Sequence, residues 1–421
     1  MVETSLDVEL EADRVTNSSL SHEYGLALRV LRDGRLGFAY TTASGLDRTL
    51  AGRALAVAGL SAQLPMGFAQ RAPRGGTPWS YHRSIESVTP EDALSGARAL
   101  VDSVKGVDDA LTLVGGGLSF GNVRFCLHSS EGAHVEGRGS GSSVGVSCVS
   151  GGDNPRSAGC HRLRVGADLP LEETATTAAK AVVAQKDARS LPSGLPASLE
   201  VVLTPQALGG LMPYTIGPAL LGEQAARKES IYADRVGKRV APQHVQLIDD
   251  GTLAAGLASG PVDDEGSKSV RRDLVRDGIL RGFVYDRLSA ARWGATSTGN
   301  GVRGDFRSPP STGLRTLVLR SSEGWSPQEM VQQMRRGVVV HDIMGGHTAN
   351  RTTTDFSVTT SQLFYVERGE VRFPISQAMV AGNLGTALRS IRAVGTDHAI
   401  IGTGSCGKLP SVLLKGLRVA G

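Results

Sequence analysis

The sequence predicts an α+β protein with two domains, and three observations lead to this fold class. Its 421 residues include 54 glycines against nine Phe, seven Tyr and three Trp, a composition typical of short strands and tight turns. Several segments alternate polar and apolar residues, which predicts strands with one buried face. Alanine-rich segments with helix-start signals lie between them. With 40% apolar residues, the chain can build two or three cores.

The first half predicts an antiparallel sheet with helices packed on it. Residues 4–45 alternate in polarity, and the hairpin dipeptide Asp33-Gly34 separates two of the runs, so we expect a β-meander ending at Tyr40. The glycine cluster 115–117 is interpreted as a turn or bulge, because no nucleotide-binding pattern follows it. Helices are predicted at 44–60, 87–104 and 171–186, and Thr89-Pro90 is the start signal of the second of them. Short strands are predicted at 110–113, 122–129 and 142–149.

A segment rich in proline, glycine and serine, residues 190–196, predicts a domain boundary. The predicted domains are an N-terminal α/β domain, 1–190, and a β-rich C-terminal domain, 191–421. The elements predicted in the second domain are strands at 198–203, 245–250, 282–286, 314–319, 338–340, 362–366 and 371–374, and helices at 326–336 and 387–394.

Charge, cysteine content and hydropathy indicate which partners and which compartment the protein has. The 45 basic and 41 acidic residues are scattered, without the basic run of a nucleic-acid arm, so no nucleic-acid partner is predicted. Four cysteines without CxxC spacing favour a reducing compartment. The N-terminal segment has no apolar core, and no later stretch is long and apolar enough for a membrane span. We therefore expect a soluble, cytoplasmic protein without a membrane partner.

A series of short, turn-rich blocks runs through the second half of the sequence. These blocks are Asp249–Leu253, Val262–Gly266, Leu274–Asp286, Ala290–Gly294, Ser297–Gly301, Gly345-Gly346, Glu367–Glu370, Phe373–Ile375, Ala381–Asn383 and Gly404–Lys408. In content and order they resemble the blocks of the TldD/PmbA family, whose members are associated with metallopeptidase activity and peptide maturation. Gly25–Arg29 and Asp33–Tyr40 in the first half resemble the N-terminal domain of that family.

The resemblance implies a zinc motif that this sequence does not carry. Members of the active branch have His-Glu-x-x-x-His after a strand and a cysteine near the C-terminus, so that two imidazoles and a thiolate hold zinc and the glutamate acts as base. The matching positions here are Pro213, Tyr214 and Pro218. Proline has no side-chain ligand, and tyrosine, with a pKa of about 10, is a poor base at neutral pH. No metal and no cofactor are therefore predicted.

Three residues are candidates for catalysis without metal. Cys406, in the last block, is interpreted either as a remnant of an ancestral zinc site or as a nucleophile activated by a neighbouring histidine. Tyr214 stands where the family has its base. His347, which the resemblance places near the cleft together with His341, is the candidate partner for the thiol, although either histidine could simply bond a carbonyl.

Two polar loops complete the candidates. Asp263-Asp264-Glu265 is interpreted as a sharp turn with ion pairs to Arg271 and Arg272 rather than as a calcium loop. Thr298, Asn300 and Arg303 could bind a carboxylate or backbone group of a substrate, or they could form a structural loop.

Three functions fit these residues. The first is the non-metal-binding subunit of a peptidase complex that cleaves or matures peptides, paired with a zinc-bearing TldD-like subunit. The second is a metal-independent, homo-oligomeric enzyme of specialised metabolism that acts on a small amide or thiol-conjugate substrate through Cys406, Tyr214 or His347. The third is a binding module without chemistry. The predicted assembly is accordingly a homo- or heterodimer, and the predicted substrate a peptide or a small amide.

Overall fold

The computed structural model describes residues 1–43, 48–70, 77–153, 155–195, 199–360, 362–402 and 406–421, and only the backbone of Cys406. No helix in these segments is long and apolar enough to cross a membrane. The elements of the first half are β1 (Val2–Glu11), β2 (Arg14–Tyr24), β3 (Leu26–Arg32), β4 (Arg35–Thr41), α1 (Arg48–Leu60), a 3₁₀ turn (Arg83–Ser87), α2 (Pro90–Val107), β5 (Leu111–His128), β6 (His134–Ser150), β7 (Ser157–Arg164) and α3 (Leu171–Val183).

Five of these strands form an antiparallel sheet in the order β2-β1-β5-β6-β7. Helices α2 and α3 pack together on one face, where Leu100, Val104 and Ala178 are fully buried. The start signal of helix α2 acts as predicted, because Thr89, immediately before Pro90, forms a reciprocal capping box with Asp92. The sheet with packed helices is therefore confirmed.

The glycine cluster 115–117, which was predicted to be a turn or a bulge, forms a bulge in β5. The register with β6 shifts between Leu113 and Gly115, and a side chain on Gly116 or Gly117 would collide with a backbone carbonyl of the neighbouring strand. The strand continues through this bulge to His128. The two short strands predicted at 110–113 and 122–129 are in fact one, because glycine lets the chain bend without leaving the sheet.

The β3–β4 hairpin is separate from this sheet, so the predicted meander is wrong in its last two strands. Asp33 (φ 53°) and Gly34 (φ 73°) form the tight turn that the dipeptide predicts. The hairpin packs against α1 and contacts the second half through Gly25, over which the Phe306 ring lies. It therefore links the two halves instead of extending the first sheet.

The second half is rich in strands. Its elements are β8 (Leu199–Leu203), α4 (Pro205–Leu211), a 3₁₀ turn (Met212–Tyr214), α5 (Ile216–Ala219), α6 (Gly222–Ala226), β9 (Val245–Asp250), β10 (Arg271–Arg276), β11 (Ile279–Leu280), α7 (Arg287–Trp293), β12 (Gly301–Val302), β13 (Ser311–Thr312), β14 (Thr316–Ser321), β15 (Gly324–Trp325), α8 (Pro327–Gln332), β16 (Arg336–Val340), a 3₁₀ turn (Gly346–Thr348), β17 (Asp355–Thr360), β18 (Leu363–Glu367), β19 (Glu370–Ile375), β20 (Ala378–Asn383), α9 (Leu384–Ala387), a 3₁₀ turn (Leu388–Ser390), β21 (Ala393–Gly395), β22 (Ala399–Gly402), β23 (Cys406–Leu409) and β24 (Val412–Ala420).

Two sheets contain most of these strands, and the largest apolar core of the described residues lies between them. The larger runs β15-β21-β24-β8-β16-β18-β19, with β20 joining β24 to β17, and the smaller runs β11-β10-β9-β14-β23-β22. Leu203, Leu208 and Val340 lie in the core between them and are fully buried. The predicted α+β class, with a β-rich C-terminal region, is therefore confirmed. The boundary near residue 190 stays a prediction, and Arg189 already bonds to the backbone of β19.

Two predicted elements of this half are wrong. Residues 282–286 do not form a strand, because Val284 makes only one isolated bridge, to Leu221. The helix predicted at 387–394 lies earlier, over Leu384–Ser390, because Ala393 and Val394 pair with β24. The predicted helix 326–336 is shorter than expected and ends at Gln332.

Candidate functional site

The candidate site begins where two parallel strands end. Strands β8 and β16 pair in parallel up to Leu203 and Val340, so Thr204 and His341 follow at the same edge. The Thr204 hydroxyl accepts a hydrogen bond from the Ala207 amide at 3.4 Å, which caps α4, and donates one to the His341 carbonyl at 2.7 Å. The start of α4 and the start of the 341–346 loop are thus tied to each other.

The segment after β8 is a series of short helices. Helix α4 ends at Leu211, Pro213 lies in the following 3₁₀ turn, and Thr215, with φ −125° and ψ −80°, separates that turn from α5. Thr204-Pro205 starts a helix as predicted, whereas Pro218 lies inside α5 and does not start it. Proline lacks an amide hydrogen, so a continuous helix through 213–218 would lose two backbone hydrogen bonds.

Glycines allow the surrounding loops to lie directly on α4. A side chain at Gly209 would collide with Ile401 of β22, and one at Gly346 would collide with the Gly210 carbonyl. Gly345 adopts a left-handed conformation, φ 90°, which favours glycine. The loop that carries His347 is therefore held close against the helix.

This packing brings together two of the three predicted catalytic residues. The rings of Tyr214 and His347 are in edge-to-face contact, with centroids 6.4 Å apart and planes at 75°. Tyr214 is partly buried and His347 is exposed, so both can be reached from solvent. Cys406 pairs through its backbone with Thr316 and Gly402, but its side chain lies outside the described part of the structure. Its predicted role stays a prediction.

The described residues around the position of the family's motif do not offer the ligands of a zinc site. Pro213 and Gly217 line a small apolar void together with Gly407, and its volume is about 10 Å³, room for no more than about one water molecule. The other residues that line it are Gly209, Met212, Leu314, Leu317, Ile401 and Leu409. None of these residues offers an imidazole, carboxylate or thiolate.

Asp342 is an acidic group at this site that the sequence-based reasoning did not select. Its carboxylate accepts one hydrogen bond, from the Ile343 amide at 2.8 Å, and burial raises its pKa to about 6. Burial also raises the pKa of the Cys160 thiol on β7, and the charge of Asp342 adds to that effect. A carboxyl group with such a pKa can gain or lose a proton near neutral pH. Its place two residues after the end of a buried strand was the available signal.

The predicted substrate-binding residues lie in a loop where the chain itself provides partners. The Asn300 amide donates to Asp249 at 2.6 Å and to the Gly313 carbonyl at 2.9 Å, and the Thr298 hydroxyl donates to Asn300 at 2.7 Å. Thr298 and Asn300 are buried. These contacts favour the structural alternative, and substrate binding by this loop stays a prediction.

Arg303 and the acidic turn Asp263-Asp264-Glu265 belong to a cluster of charged residues, separate from the contact between Tyr214 and His347. The turn is confirmed, since Asp263 accepts hydrogen bonds from the amides of Glu265 and Ser267, but its predicted ion pairs are wrong. Glu265 pairs with Arg29 at 2.7 Å, and Arg303 bonds to Asp264 through its backbone amide and its side chain. Arg271 instead pairs with Asp273, because β10 carries it away from the turn.

Comparisons with known proteins show which family the chain matches. The family model described as PmbA/TldA metallopeptidase C-terminal domain matches residues 196–421, and that of PmbA/TldA metallopeptidase domain 1 matches residues 2–58. An uncharacterised protein of Methanocaldococcus jannaschii is 28% identical over 384 residues, covering 90% of this chain and 86% of that protein.

Two further relatives carry informative names. Metalloprotease PmbA of Escherichia coli O157:H7 is 32% identical over 221 residues, but the alignment covers 52% of this chain and only 45% of that relative. The crystal structure of TldE from Thermococcus kodakarensis superposes with a TM-score of 0.89 over 100% of this chain and 96% of that one, at 22% identity. At that identity the similarity supports the fold alone.

Proposed function

The chain belongs to the PmbA/TldD metallopeptidase family, and from that premise we propose that it is the subunit without the catalytic metal in a peptidase complex. In this proposal a second subunit, with the His-Glu-x-x-x-His motif, supplies the zinc and the base. This chain forms the wall of the shared cleft and helps to bind the peptide.

The observation that carries the proposal is the structure of residues 205–219. At the motif positions the chain offers Pro213, Tyr214 and Pro218, and the single helix that would align two imidazoles is divided into α4, a 3₁₀ turn and α5. The void beside them is apolar and almost filled. A metal-dependent hydrolysis step therefore has no support from this segment of the chain.

The surroundings of the segment suit a peptide. Strand β22 lies at the edge of the smaller sheet, and its Ile401 packs on α4. An extended peptide can add to such an edge through backbone hydrogen bonds, with side chains directed toward the neighbouring surfaces. Tyr214 and His347 lie at the same end of α4 and would then contact the bound substrate.

The contact between Tyr214 and His347 favours a second candidate, a metal-independent enzyme that acts as a homo-oligomer. The two rings could position a small amide or thiol-conjugate substrate, with Cys406 as nucleophile. The metal-independent enzyme requires a thiol within reach of His347, whereas the subunit of a peptidase complex does not.

Reconstitution separates the two candidates. We expect the purified chain alone to leave model peptides and amides intact, and an equimolar mixture with a relative bearing the zinc motif to hydrolyse peptides. Light scattering of the mixture should show a heteromer. Tyr214→Phe is the matched control, because it keeps the ring contact with His347 and should preserve assembly. Turnover by the chain alone that is abolished in Cys406→Ala would instead establish the second candidate.

A further inference from the structure

A group of side chains that could hold a metal ion lies on the first sheet, at the end of the β5–β6 hairpin. Cys126 and His128 are on β5 and His134 is on β6, and we call these three residues the hairpin cluster. All three are exposed, and Cys126 is a free thiol. None of the three is among the candidate residues selected from the sequence.

The strand register places the cluster on one face. His128 is paired directly with His134, and Cys126 with Glu136, so the four side chains form two successive cross-strand pairs. The alternate residues Ala133 and Val135 are buried on the opposite face. Because the period of a strand is two, burial of that face fixes the outward direction of the cluster.

The distances match those of a small metal site. The Nδ1 atoms of His128 and His134 are 3.1 Å apart, and the three candidate ligand atoms all lie within 4.8 Å of one another. Two imidazole nitrogens on one tetrahedral zinc ion are about 3.3 Å apart, and a thiolate sulfur is about 3.6 Å from each. The candidate ligand atoms are therefore close enough for the exposed side chains to adjust to that geometry.

A carboxylate stands next to the cluster. Glu136 Oε1 is 3.5 Å from Nε2 of His134, the ring nitrogen that points away from His128. A carboxylate in this position fixes the tautomer of a ligating histidine and increases its basicity. The Glu136 carbonyl also accepts a hydrogen bond from the Trp79 indole at 3.2 Å, which anchors this part of β6.

The hairpin turn holds the two histidines in register. The Ser129 amide donates to the Ala133 carbonyl at 2.9 Å and the Gly132 amide donates to the Ser129 carbonyl at 3.0 Å. Gly132 has φ 96°, a conformation that favours glycine. Little conformational freedom of the backbone is therefore lost when a ligand binds.

We propose that the hairpin cluster binds one zinc ion through the Cys126 thiolate and the imidazoles of His128 and His134, with water in the fourth position and Glu136 as the outer partner of His134. Two nitrogens and one sulfur form the donor set that zinc prefers, and a harder cation such as magnesium or calcium would not be held. The sequence signal is Cys-x-His before a tight turn and His-x-Glu after it. This signal becomes visible only when the register of the hairpin is known.

Titration of the metal-free, full-length chain with Zn²⁺ or Co²⁺ tests the proposal. We expect one equivalent to bind, and Co²⁺ to give a thiolate-to-metal charge-transfer band in the near ultraviolet. Cys126→Ser should remove that band, and His128→Gln should abolish one-to-one binding. Glu136→Gln should weaken binding by about tenfold or more. His22→Gln, at an exposed histidine of β2 outside the cluster, is the matched control and should bind like the unmodified chain.

Retention of the one-to-one site in Cys126→Ser, or equal loss in His22→Gln, would overturn the proposal, as would the absence of a charge-transfer band in the unmodified chain. Circular dichroism of each variant verifies that the fold is preserved, which is expected because the changed side chains are exposed. The result does not depend on the proposed peptidase role, because metal binding is measured without substrate. If Cys126→Ser abolishes zinc binding, the zinc was bound at the hairpin cluster and not in the cleft.

Discussion

At the scale of single residues, Asp342 should make stability fall as pH rises. Burial raises its pKa to about 6, while an unfolded aspartate has a pKa of about 3.9, so the folded chain binds more protons between these values. The stabilisation is complete below about pH 4 and is lost as pH rises through about 6. Asp342→Asn keeps an acceptor for the Ile343 amide and removes the charge. We expect its free energy of unfolding to exceed that of the unmodified chain by about 1–2 kcal/mol at pH 7.

Urea unfolding at pH 4, 5, 6 and 7 measures this effect as the difference between the two proteins. Burial also raises the pKa values of Asp249 and Asp263 to about 6, but both proteins share these groups and their contribution cancels. Asp355→Asn is the control, and its effect on stability should change with pH in the opposite direction, because hydrogen bonds from Thr353 and Asn383 lower the pKa of Asp355. A difference between Asp342→Asn and the unmodified chain that stays constant from pH 4 to 7 would show that Asp342 titrates normally.

Residues that depend on distant partners limit what the sequence can predict at this scale. Tyr214 and His347 were selected because block order placed both near the cleft, and their rings are in contact. Glu265 was assigned arginines six and seven positions away in the chain, but its partner is Arg29, 236 positions away. Proximity along the chain carries no information about such a pair. The hairpin cluster was missed for a related reason, since its geometry depends on strand register.

At the scale of elements, the cap of α4 should control the order of the cleft. Thr204→Ala removes the acceptor for the Ala207 amide and the hydrogen bond to the His341 carbonyl. Loss of an N-cap costs about 1 kcal/mol. We expect a comparable loss of stability in urea and faster hydrogen exchange at the first turn of α4.

Thr89→Ala is the matched control for that experiment. Thr89 caps α2, also ahead of a proline, so the variant should lose a similar free energy of unfolding. Exchange in the first turn of α4 should nevertheless remain unchanged in it, because α2 packs on the other sheet. Equal exchange at α4 in both variants would mean that Thr204 does not organise the cleft.

Elements with local signals were predictable, and those set by tertiary pairing were not. Thr89, Thr204 and Ser326 each begin a helix, because a hydroxyl cap followed by proline determines the first turn locally. Residues 282–286 have strand composition, but the Tyr285 amide bonds to the Thr298 hydroxyl, which belongs to a loop 13 positions further along the chain. That contact takes the place of strand pairing, and nothing in the local sequence indicates it.

At the scale of the whole molecule, composition and block order were sufficient for the α+β class, but the strand order was not predictable. Strand β24, at the end of the chain, lies between β8 and β21 in the larger sheet. Strand β23 pairs in parallel with β14, although more than a third of the second half of the chain separates them. Such pairings are determined by how apolar faces fit in three dimensions. Alternation of polarity reveals which face is buried, but not the neighbour.

The two halves of the molecule are connected by an ion pair that should be important for stability. Arg29 of β3 meets Glu265 at 2.7 Å, with side chains 11% and 0% exposed, and the other Glu265 oxygen accepts from the Arg287 amide. Arg29→Met leaves a buried carboxylate without its cation. Breaking a buried pair in this way costs about 3–5 kcal/mol, so we expect a loss of that order in chemical denaturation.

A second variant distinguishes the unpaired charge from the lost packing of the arginine. In Arg29→Met/Glu265→Gln the buried group is neutral but still accepts from Arg287, so most of the lost stability should return. Arg307→Met is the control, because Arg307 also joins the two halves, through Glu23, but this pair is exposed and should contribute about 1 kcal/mol or less. If the double variant were no more stable than Arg29→Met, the arginine would act through its packing on Phe68, and the interface would depend on apolar contact rather than charge.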